Sequence, residues 1–514
     1  MVTSPHTLAS EAGAKVLREG GNAIEAAIAI GAVIAVTYPH FCGLGGDAIW
    51  MVADRQGNNT VFLGLGQAAQ NLPAYTAPIA TRGAPSTVVS AGAVDSWRQV
   101  HDYSRDRWSG RTSFASLLDP AIGYAEFGFP VTPSQLFWTS FRTDELADWH
   151  RFADIFLPNG KAPAPGDLFV QRDLARSLKA IAKHGAREFY EGELAGRIAK
   201  GLQVAGSPLT ASDLAKTFCR QEKAVTLDYR GFTLLAPPPP TQGVTTLQIM
   251  GILNELGFDG VEEGSAAYYH RCVEAVKQAF LDRDGIADPD FAGVSTEQLL
   301  SPQRLAQKAA AIRPQALPWP HVFRTGDTVY FAATDAQGRS VSVLQSTYFD
   351  WGSGVVAGDT GVLWQNRGAA FSIDPNSPNA IAPGKRPFYT LNPGLALKNG
   401  KPHVLYGTQG ADGQPQTLTA LLTRLLDYKL DPLQALSRPR FLLGKTFSDS
   451  RDTLKLEEDA GTSTINRLAA LGHETSVISS NSPLGGQAGA IVLHDDGLIE
   501  GAHDPRSDGL AIGI

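Results

Sequence analysis

A strand-turn-strand pattern about two-thirds of the way along the chain places the strongest constraint on its fold. Residues 328–334 are mostly apolar and β-branched, and residues 335–338 (Asp-Ala-Gln-Gly) are typical of a tight turn. Residues 340–346 then alternate small and apolar side chains, which predicts a returning strand. The sequence therefore predicts an antiparallel hairpin with Thr328 at its start and Ser346 at its end.

The two hydroxyl groups at the ends of this hairpin suit an N-terminal-nucleophile hydrolase. In that chemistry the chain cuts itself between Asp327 and Thr328. The freed α-amine, whose ordinary pKa lies near neutrality, then acts as the base for the Thr328 hydroxyl. Ser346 would supply the second hydroxyl. A threonine beside a hairpin also fits the plain preference of strands for β-branched residues, so the pattern alone leaves both interpretations open.

The rest of the pattern predicts helices and antiparallel strands. Residues 7–19 and a nearly all-apolar stretch capped by Asn22 are expected to be helices, and residues 48–63 a hairpin. Residues 95–315 have a mostly helical pattern, and residues 312–326 are expected to form an extended linker to the proposed cut. Antiparallel strands covered by helices indicate an α+β fold.

The composition excludes several classes of partner. The 514 residues are 43% hydrophobic and 18% charged, as in ordinary globular proteins. A net charge of −7 and the lack of a basic run argue against nucleic acid and membrane as partners. Cys42, Cys219 and Cys272 are widely spaced and form no metal-ligand pattern, which favours a reducing compartment. Since the first residues lack a signal-peptide pattern, we expect a cytoplasmic protein. We also expect no metal and no cofactor.

Short motifs along the chain occur in the same order as in one known family. They are Gly20-Gly21-Asn22-Ala23, Pro39-His40-Phe41-Cys42-Gly43-Leu44-Gly45-Gly46, Asp119-Pro120-Ala121-Ile122, Phe189-Tyr190-Glu191-Gly192, Pro237-Pro238-Pro239-Pro240-Thr241-Gln242-Gly243, Pro383-Gly384-Lys385-Arg386-Pro387 and Asp504-Pro505-Arg506-Ser507-Asp508-Gly509. Each motif is short, but together they extend over nearly the whole chain. On these motifs the chain resembles the γ-glutamyltranspeptidase family of N-terminal-nucleophile hydrolases.

The resemblance implies a four-layer αββα sandwich built from two self-cleaved segments. Residues 1–327 would form the large segment, and residues 328–514 the small, catalytic segment of one intertwined domain. The expected partner of each fragment is therefore the other fragment of the same chain. Whether two such heterodimers pair with each other is left open.

The resemblance also implies catalytic roles. Thr328 matches the family's nucleophile, and Ser346 matches a hydroxyl residue, usually threonine, that hydrogen-bonds the nucleophile. Gly410 and Ala411 match two glycines whose backbone N–H groups form the oxyanion hole. Alanine keeps the N–H group but restricts φ. From the residues alone, Ser346 also fits a half-buried strand serine, and Gly410 an ordinary glycine turn.

The residues that bind the γ-glutamyl group in this family are replaced in the present chain. The family's arginine has no counterpart after the first hairpin, and its two serines are replaced by Tyr389 and Thr390. The positions of its asparagine, glutamine and aspartate hold Tyr348, Arg367 and Ala370. A substrate ammonium group would therefore lose its carboxylate partner and meet a guanidinium instead.

These replacements predict a short acyl pocket that contains a cation. Tyr348 and Tyr389 are large and should fill space, while Arg367 offers a planar fork matched to a carboxylate. An amide with a carboxylate next to the scissile carbonyl, such as oxamate, fits this pocket. The chain is similar to the family's oxamate amidohydrolase branch. The alternative is that Arg367 lies at the surface of a loop.

The predicted activity is hydrolysis of such a small anionic amide by a processed threonine enzyme. The loop over residues 372–382 is shorter than the lid of many family members, which exposes the acyl-enzyme to water and favours hydrolysis over transfer. Two alternatives within the family are a γ-glutamyl hydrolase or transpeptidase and a cephalosporin-type acylase, and these need a roomier pocket. The alternative from another class is a catalytically inactive relative that binds an anion.

Overall fold

The computed structural model describes residues 1–146, 148–293, 295–319, 326–446 and 449–514. The strands in these ranges are β1 Val2–Ser4, β2 Asp47–Ala53, β3 Asn59–Gly64, β4 Phe129–Pro130, β5 Leu168–Phe169, β6 Arg220–Glu222, β7 Val225–Tyr229, β8 Phe232–Ala236, β9 Asp327–Thr334, β10 Ser340–Tyr348, β11 Gly394–Lys398, β12 Lys401–Thr408, β13 Phe441–Leu443, β14 Leu454–Glu457, β15 Thr475–Ile478, β16 Ala488–Leu493, β17 Ile499–His503 and β18 Leu510–Ile512. The α-helices are α1 Thr7–Arg18, α2 Ala23–Thr37, α3 Ala93–Trp108, α4 Phe114–Phe127, α5 Pro133–Phe141, α6 Thr143–Leu146, α7 Phe152–Phe156, α8 Arg172–His184, α9 Glu188–Glu191, α10 Glu193–Val204, α11 Ala211–Ala215, α12 Gly243–Leu256, α13 Ala266–Phe280, α14 Thr296–Leu299, α15 Pro302–Ala311, α16 Gln414–Leu426, α17 Pro432–Ser437 and α18 Thr462–Ala470.

Two antiparallel sheets contain most of the strands. The first has the order β18-β1-β9-β10-β2-β3-β6, and the second has the order β17-β16-β12-β11-β8-β7. The hairpin predicted from the sequence is β9 and β10, with Val343 opposite Phe331. It lies at the centre of the first sheet, and every residue of both strands is buried. The proposed nucleophile is therefore held by fully buried strands at the centre of this sheet.

Helices contact each sheet, and the two sheets also contact each other. The nearly all-apolar α2 starts at the predicted cap, where Asn22 and Glu25 form a reciprocal capping box. The helices α2 and α3 contact the first sheet, α12 and α16 contact the second, and β9 and β10 contact β12 across the molecule. Apolar side chains from both sheets, including Ile49, Leu344 and Leu405, form one buried cluster. This packing fixes the position of β9 relative to the end of β12.

The prediction that residues 95–315 are mostly helical is only partly correct, because this range also contains strands. The strands β7 and β8 form a hairpin around Arg230 and Gly231, whose φ values of 52° and 83° suit a two-residue hairpin turn. The strand β8 pairs with β11 in the second sheet, and β6 pairs with β3 in the first. In β7, half-buried and exposed side chains alternate, so its apolar pattern is weaker than that of the neighbouring helices.

Strands from before and after residue 327 are interleaved in both sheets. In the first sheet β1 lies between β18 and β9, and β10 pairs with β2. In the second sheet β8 pairs with β11. Residues 312–319 of the predicted linker contain no helix or strand, whereas residues 320–325 lie outside the described residues. Within the described ranges, no helix combines the length and the apolar character needed to cross a membrane.

Candidate active site

Thr328 and Ser346 converge on the carbonyl oxygen of Asp327 in the uncut chain. The Thr328 hydroxyl donates to this oxygen at 2.7 Å, and the Ser346 hydroxyl donates to it at 2.7 Å from the neighbouring strand. Both side chains are buried. The resemblance led us to expect the Ser346 hydroxyl on the nucleophile itself. In the uncut chain it instead polarises the carbonyl group that this nucleophile would attack.

A β-bulge at the end of β10 directs these groups. The pairing between β9 and β10 shifts between Gln345 and Tyr348, so that Tyr348 stands opposite Asp327. The Ser346 hydroxyl accepts the N–H of Tyr348 at 2.7 Å, and Tyr348 has a φ of 85°. A positive φ is strained for so large a side chain, and strain of this kind collects at functional sites.

The turn after β12 lies against the chain just before Asp327, and it carries the backbone N–H groups of Gly410 and Ala411. Gly410 and Ala411 have φ values of 117° and 44°. In the described part of the chain, no hydrogen bond uses the N–H group of either residue. A Cβ on Gly326 would stand 2.9 Å from the Cβ of Ala411, so the uncut chain runs directly against this turn. Unpaired N–H groups beside a scissile bond are what an oxyanion hole requires.

Arg367 is fully buried against two tyrosine rings and is not exposed on a loop. Its Cζ lies 4.0 Å from the ring centre of Tyr348 and 4.5 Å from that of Tyr389. Its Nη1 donates to Thr390 Oγ1 at 3.5 Å, while Nε and Nη2 have no hydrogen-bond partner in the described ranges. Burial lowers the pKa of Arg367, and the two tyrosines and Asp47 oppose this shift. Unsatisfied donors on a buried cation indicate a site for an anion.

Asp47 belongs to the same site and was missed in the sequence analysis. Its carboxylate accepts the Tyr389 hydroxyl at 2.9 Å and two backbone N–H groups at 2.8 and 2.9 Å. Burial raises the pKa of Asp47 to about 6, although the charge of Arg367 and the hydrogen bonds oppose the rise. Asp47 also stands opposite Ser346 on the adjacent strand. The available signal in the sequence was a single aspartate at the start of an otherwise apolar strand.

Asp327, the residue before the proposed cut, lies among charged groups. Burial raises the pKa of its carboxyl group well above the usual value, and Asp350 adds to this rise while Arg142 and Arg82 oppose it. Both arginines bond Asp350, with Arg142 Nε donating at 2.5 Å and Arg82 Nη2 at 3.1 Å. The repulsion between two adjacent carboxylates is thus one cause of the raised pKa of Asp327.

One group of side chains in the described ranges has the chemistry of metal ligands, and it lies apart from these residues. His270 Nδ1 and His473 Nε2 are 2.8 Å apart, and the Glu274 carboxylate is within reach of both. Glu274 already accepts the Lys277 ammonium at 2.7 Å and the Leu317 N–H at 3.1 Å. This cluster therefore anchors the backbone that precedes the proposed cut. The Lys277 ammonium already supplies the positive charge beside Glu274 that a metal ion would otherwise supply.

The structure brings the residues predicted from the sequence into one region. Thr328, Ser346 and Tyr348 come from β9 and β10, and the donor turn comes from β12. Arg367 comes from a 3₁₀ turn, Arg367–Ala370, and contacts the rings of Tyr348 and Tyr389. A hydroxyl nucleophile, two backbone donors and a buried cation can together attack an amide and hold an anionic acyl group.

The chain is similar to known proteins along its whole length. A protein-family model described as Gamma-glutamyltranspeptidase matches residues 9–514. Two curated relatives are each 44% identical, with alignments that cover 100% of this chain and 98% of the relative. They are the Glutathione hydrolase-like YwrD proenzyme of Bacillus subtilis and the Oxamate amidohydrolase proenzyme of Klebsiella pneumoniae. The crystal structure of cephalosporin acylase from Bacillus halodurans has a TM-score of 0.91 at 32% identity, covering 100% of this chain and 95% of that chain.

Proposed function

Because the chain belongs to the γ-glutamyltranspeptidase family, we propose that it is a self-processing threonine amidohydrolase of small carboxylate-bearing amides, with oxamate as its substrate. Membership of this family makes the chain a hydrolase of amide bonds. We also infer the four-layer αββα arrangement, which the contacts between the two sheets and their helices support. The single observation that carries the substrate proposal is the buried Arg367 with two unsatisfied donor nitrogens.

Maturation begins at the peptide bond between Asp327 and Thr328. The Thr328 hydroxyl attacks the Asp327 carbonyl carbon, and the oxygen that gains charge is the one that accepts the Ser346 hydroxyl. The C–N bond breaks as the acyl group moves to Oγ, and water then hydrolyses the ester to give the Asp327 carboxylate and a free Thr328 amine. The word proenzyme in the names of both 44% identical relatives supports this two-fragment mature form.

In turnover the Thr328 hydroxyl attacks the substrate amide while its own α-amine takes the proton. The N–H groups of Gly410 and Ala411 hold the developing oxyanion, and Arg367 holds the substrate carboxylate through Nε and Nη2. The leaving nitrogen takes the proton and departs as ammonia. Water then hydrolyses the acyl-enzyme, so that oxamate yields ammonia and oxalate.

The geometry favours this substrate over a γ-glutamyl compound. A γ-glutamyl group carries an α-ammonium, which would be brought to the guanidinium of Arg367. Tyr348 and Tyr389 pack against that guanidinium, and its Nε and Nη2 are the donors that a compact carboxylate would bind. We expect these two large side chains to exclude a bulky cephalosporin-type acyl group.

The first test compares oxamate with oxamide, a neutral amide of nearly the same size. In Arg367→Gln we expect kcat/KM for oxamate to fall by an amount equivalent to about 1.5–3 kcal/mol, because charge-assisted hydrogen bonds are lost. Hydrolysis of oxamide should change much less. Arg367→Lys keeps the charge without the planar fork, so its kcat/KM for oxamate should lie between those of wild type and Arg367→Gln. Release of ammonia measures the hydrolysis rate of all three proteins.

Two results would contradict the proposal. Equal losses on oxamate and oxamide would mean that Arg367 supports the fold and does not bind the acyl group. A wild-type enzyme that cleaves glutathione or a γ-glutamyl anilide faster than oxamate would retain the family assignment and overturn the substrate. Circular dichroism of each variant shows whether the fold is intact.

A further inference from the structure

Gln242 lies within the Pro237 to Gly243 motif, to which the catalytic scheme gives no role. It is fully buried immediately before α12. Its Nε2 donates to the Ala411 carbonyl at 2.8 Å and to the Thr390 carbonyl at 2.6 Å. One side-chain amide therefore bonds both the turn that offers the oxyanion donors and the residue that contacts Arg367.

The orientation of this amide is fixed by a buried arginine. Arg283 donates to Gln242 Oε1 from Nε at 3.2 Å and from Nη2 at 3.0 Å, and it also pairs with Asp412 in the same turn. The guanidinium lies over the ring of Phe388, 4.8 Å from its centre. Because Arg283 can only donate, Oε1 must face it, and the NH₂ group must face the two carbonyls.

The turn needs such support because its backbone is strained. Ala411 has a φ of 44°, in the left-handed region that favours glycine. The Gly410 carbonyl is held by the N–H of Gly413 at 2.7 Å, and the Ala411 carbonyl by Gln242. Since a peptide group is planar, the bond to the Gly410 carbonyl also fixes the Ala411 N–H. The bond from Gln242 to the Ala411 carbonyl fixes the next peptide plane, and with it the strained backbone conformation of Ala411.

We propose that Gln242, oriented by Arg283, is a positioning residue that holds the Gly410–Ala411 turn in the conformation that stabilises the oxyanion and couples this turn to the anion site through Thr390. It rests on the proposed function for the nucleophile Thr328 and the oxyanion role of the turn, but not for the identity of the substrate. Self-cleavage should be largely independent of Gln242, because the oxygen of the scissile Asp327 carbonyl accepts the hydroxyls of Thr328 and Ser346 in the uncut chain.

The test separates maturation from reactivity at Thr328. Gln242→Glu keeps the shape of the side chain and its pairing with Arg283, but its carboxylate cannot donate to either carbonyl. Gln242→Ala removes the group. The matched control is Gln248→Ala on α12, since Gln248 is also buried and donates to Asp282 at 2.8 Å and to the Leu299 carbonyl at 3.1 Å.

Three quantities are measured for each protein. They are the rate of self-cleavage on a denaturing gel, the rate at which methanesulfonyl fluoride labels Thr328 by intact mass, and kcat and KM for oxamate. The sulfonyl oxygen of the reagent needs the oxyanion donors and no carboxylate site. Labelling therefore tests Gln242 even if wild-type protein leaves oxamate intact, an outcome that would count only against the proposed substrate.

We expect both Gln242 variants to mature within about threefold of the wild-type rate, while labelling and kcat fall by roughly tenfold to a hundredfold, as when a catalytic group is misplaced by about 1 Å. Gln248→Ala should resemble wild type in all three measurements. Normal labelling of Gln242→Glu would overturn the proposal. So would a parallel loss of maturation and labelling in both variants, or failure of both to fold, since either outcome would show a purely structural role.

Discussion

At the scale of single residues, Asp47 places a buried carboxyl group beside the proposed anion site. Its carboxyl group is buried beside Tyr389, and the charges of Asp47 and Arg367 influence each other. The pKa of Asp47 is raised to about 6, so the folded protein takes up a proton here as the pH falls through that value. Protonation removes the negative charge that competes with a substrate carboxylate for Arg367.

We therefore expect KM for oxamate to decrease as the pH falls through about 6. The decrease should be on the order of tenfold, equivalent to about 1.4 kcal/mol of charge interaction. In Asp47→Asn, which keeps the shape and can still bond Tyr389, this dependence should disappear. Steady-state kinetics from pH 5 to 8, with oxamide as the neutral control, measure it. A KM that varies equally in both proteins would assign the titration to another group.

The residues at the proposed reacting bond were candidates from the sequence, whereas the residues that contact and hold them were not. Thr328 and Ser346 stand out because a hairpin pattern flanks them, and Arg367 because it replaces a neutral residue in the resembled family. Asp47 and Gln242 act through long-range contacts, with Tyr389 and Ala411, that no local pattern encodes. Whether Arg367 points inward likewise depends on its packing against Tyr348 and Tyr389, which no local pattern encodes.

At the scale of elements, the bulge that ends β10 determines where hydroxyl groups point. Ser342 and Ser346 lie four residues apart on this strand, and both are buried. Ser342 donates to the Tyr406 carbonyl at 3.1 Å, within the regular part of the strand. Ser346 lies where the register shifts, and it therefore reaches the Asp327 carbonyl instead.

Ser346→Ala should slow self-cleavage by on the order of a hundredfold, because the charge that forms on the Asp327 oxygen loses a hydrogen-bond donor. Ser342→Ala removes a hydroxyl from the same strand and should mature at the wild-type rate. A time course on a denaturing gel, started from freshly purified protein, gives both rates. If Ser346→Ala matures as fast as Ser342→Ala, the serine is an ordinary strand residue.

The elements with strong periodicity could be predicted from the sequence. The helix after Asn22 and the hairpin β9–β10 are found where their patterns place them. The edge hairpin β7–β8 was not predicted from the sequence, because its outer strand β7 is half-exposed and its apolar pattern is weak. Arg230-Gly231 between two apolar stretches was nevertheless a usable turn signal. Sheet order was not predictable, since it depends on pairings between strands hundreds of residues apart, such as β1 with β18.

At the scale of the whole molecule, the match over residues 9–514 confirms the predicted family, and the mixed helix and sheet content agrees with the predicted α+β class. The cut proposed at residue 327 falls within the first sheet. Within the described residues, strands on its two sides pair in four places: β1 with β18, β1 with β9, β10 with β2, and β11 with β8. Cleavage would leave these pairings intact.

Purified wild-type protein should therefore show two bands on a denaturing gel and a single peak on size exclusion. The smaller fragment should begin at Thr328, which N-terminal sequencing identifies. Thr328→Ala should stay as one chain, because no hydroxyl remains to attack Asp327. A natural start at any other residue would refute the nucleophile.

The interleaving of strands also changes the molecularity of folding. An uncut chain can regain its two sheets by a first-order process, since every strand is tethered to its neighbours. Once the bond at residue 327 is broken, unfolding releases two separate polypeptides, and neither carries all the strands of either sheet. The unfolding midpoint of the mature protein then rises with its own concentration, and dilution alone opposes refolding. Self-cleavage would thus turn an intramolecular fold into an obligate complex whose two parts are made in a one-to-one ratio.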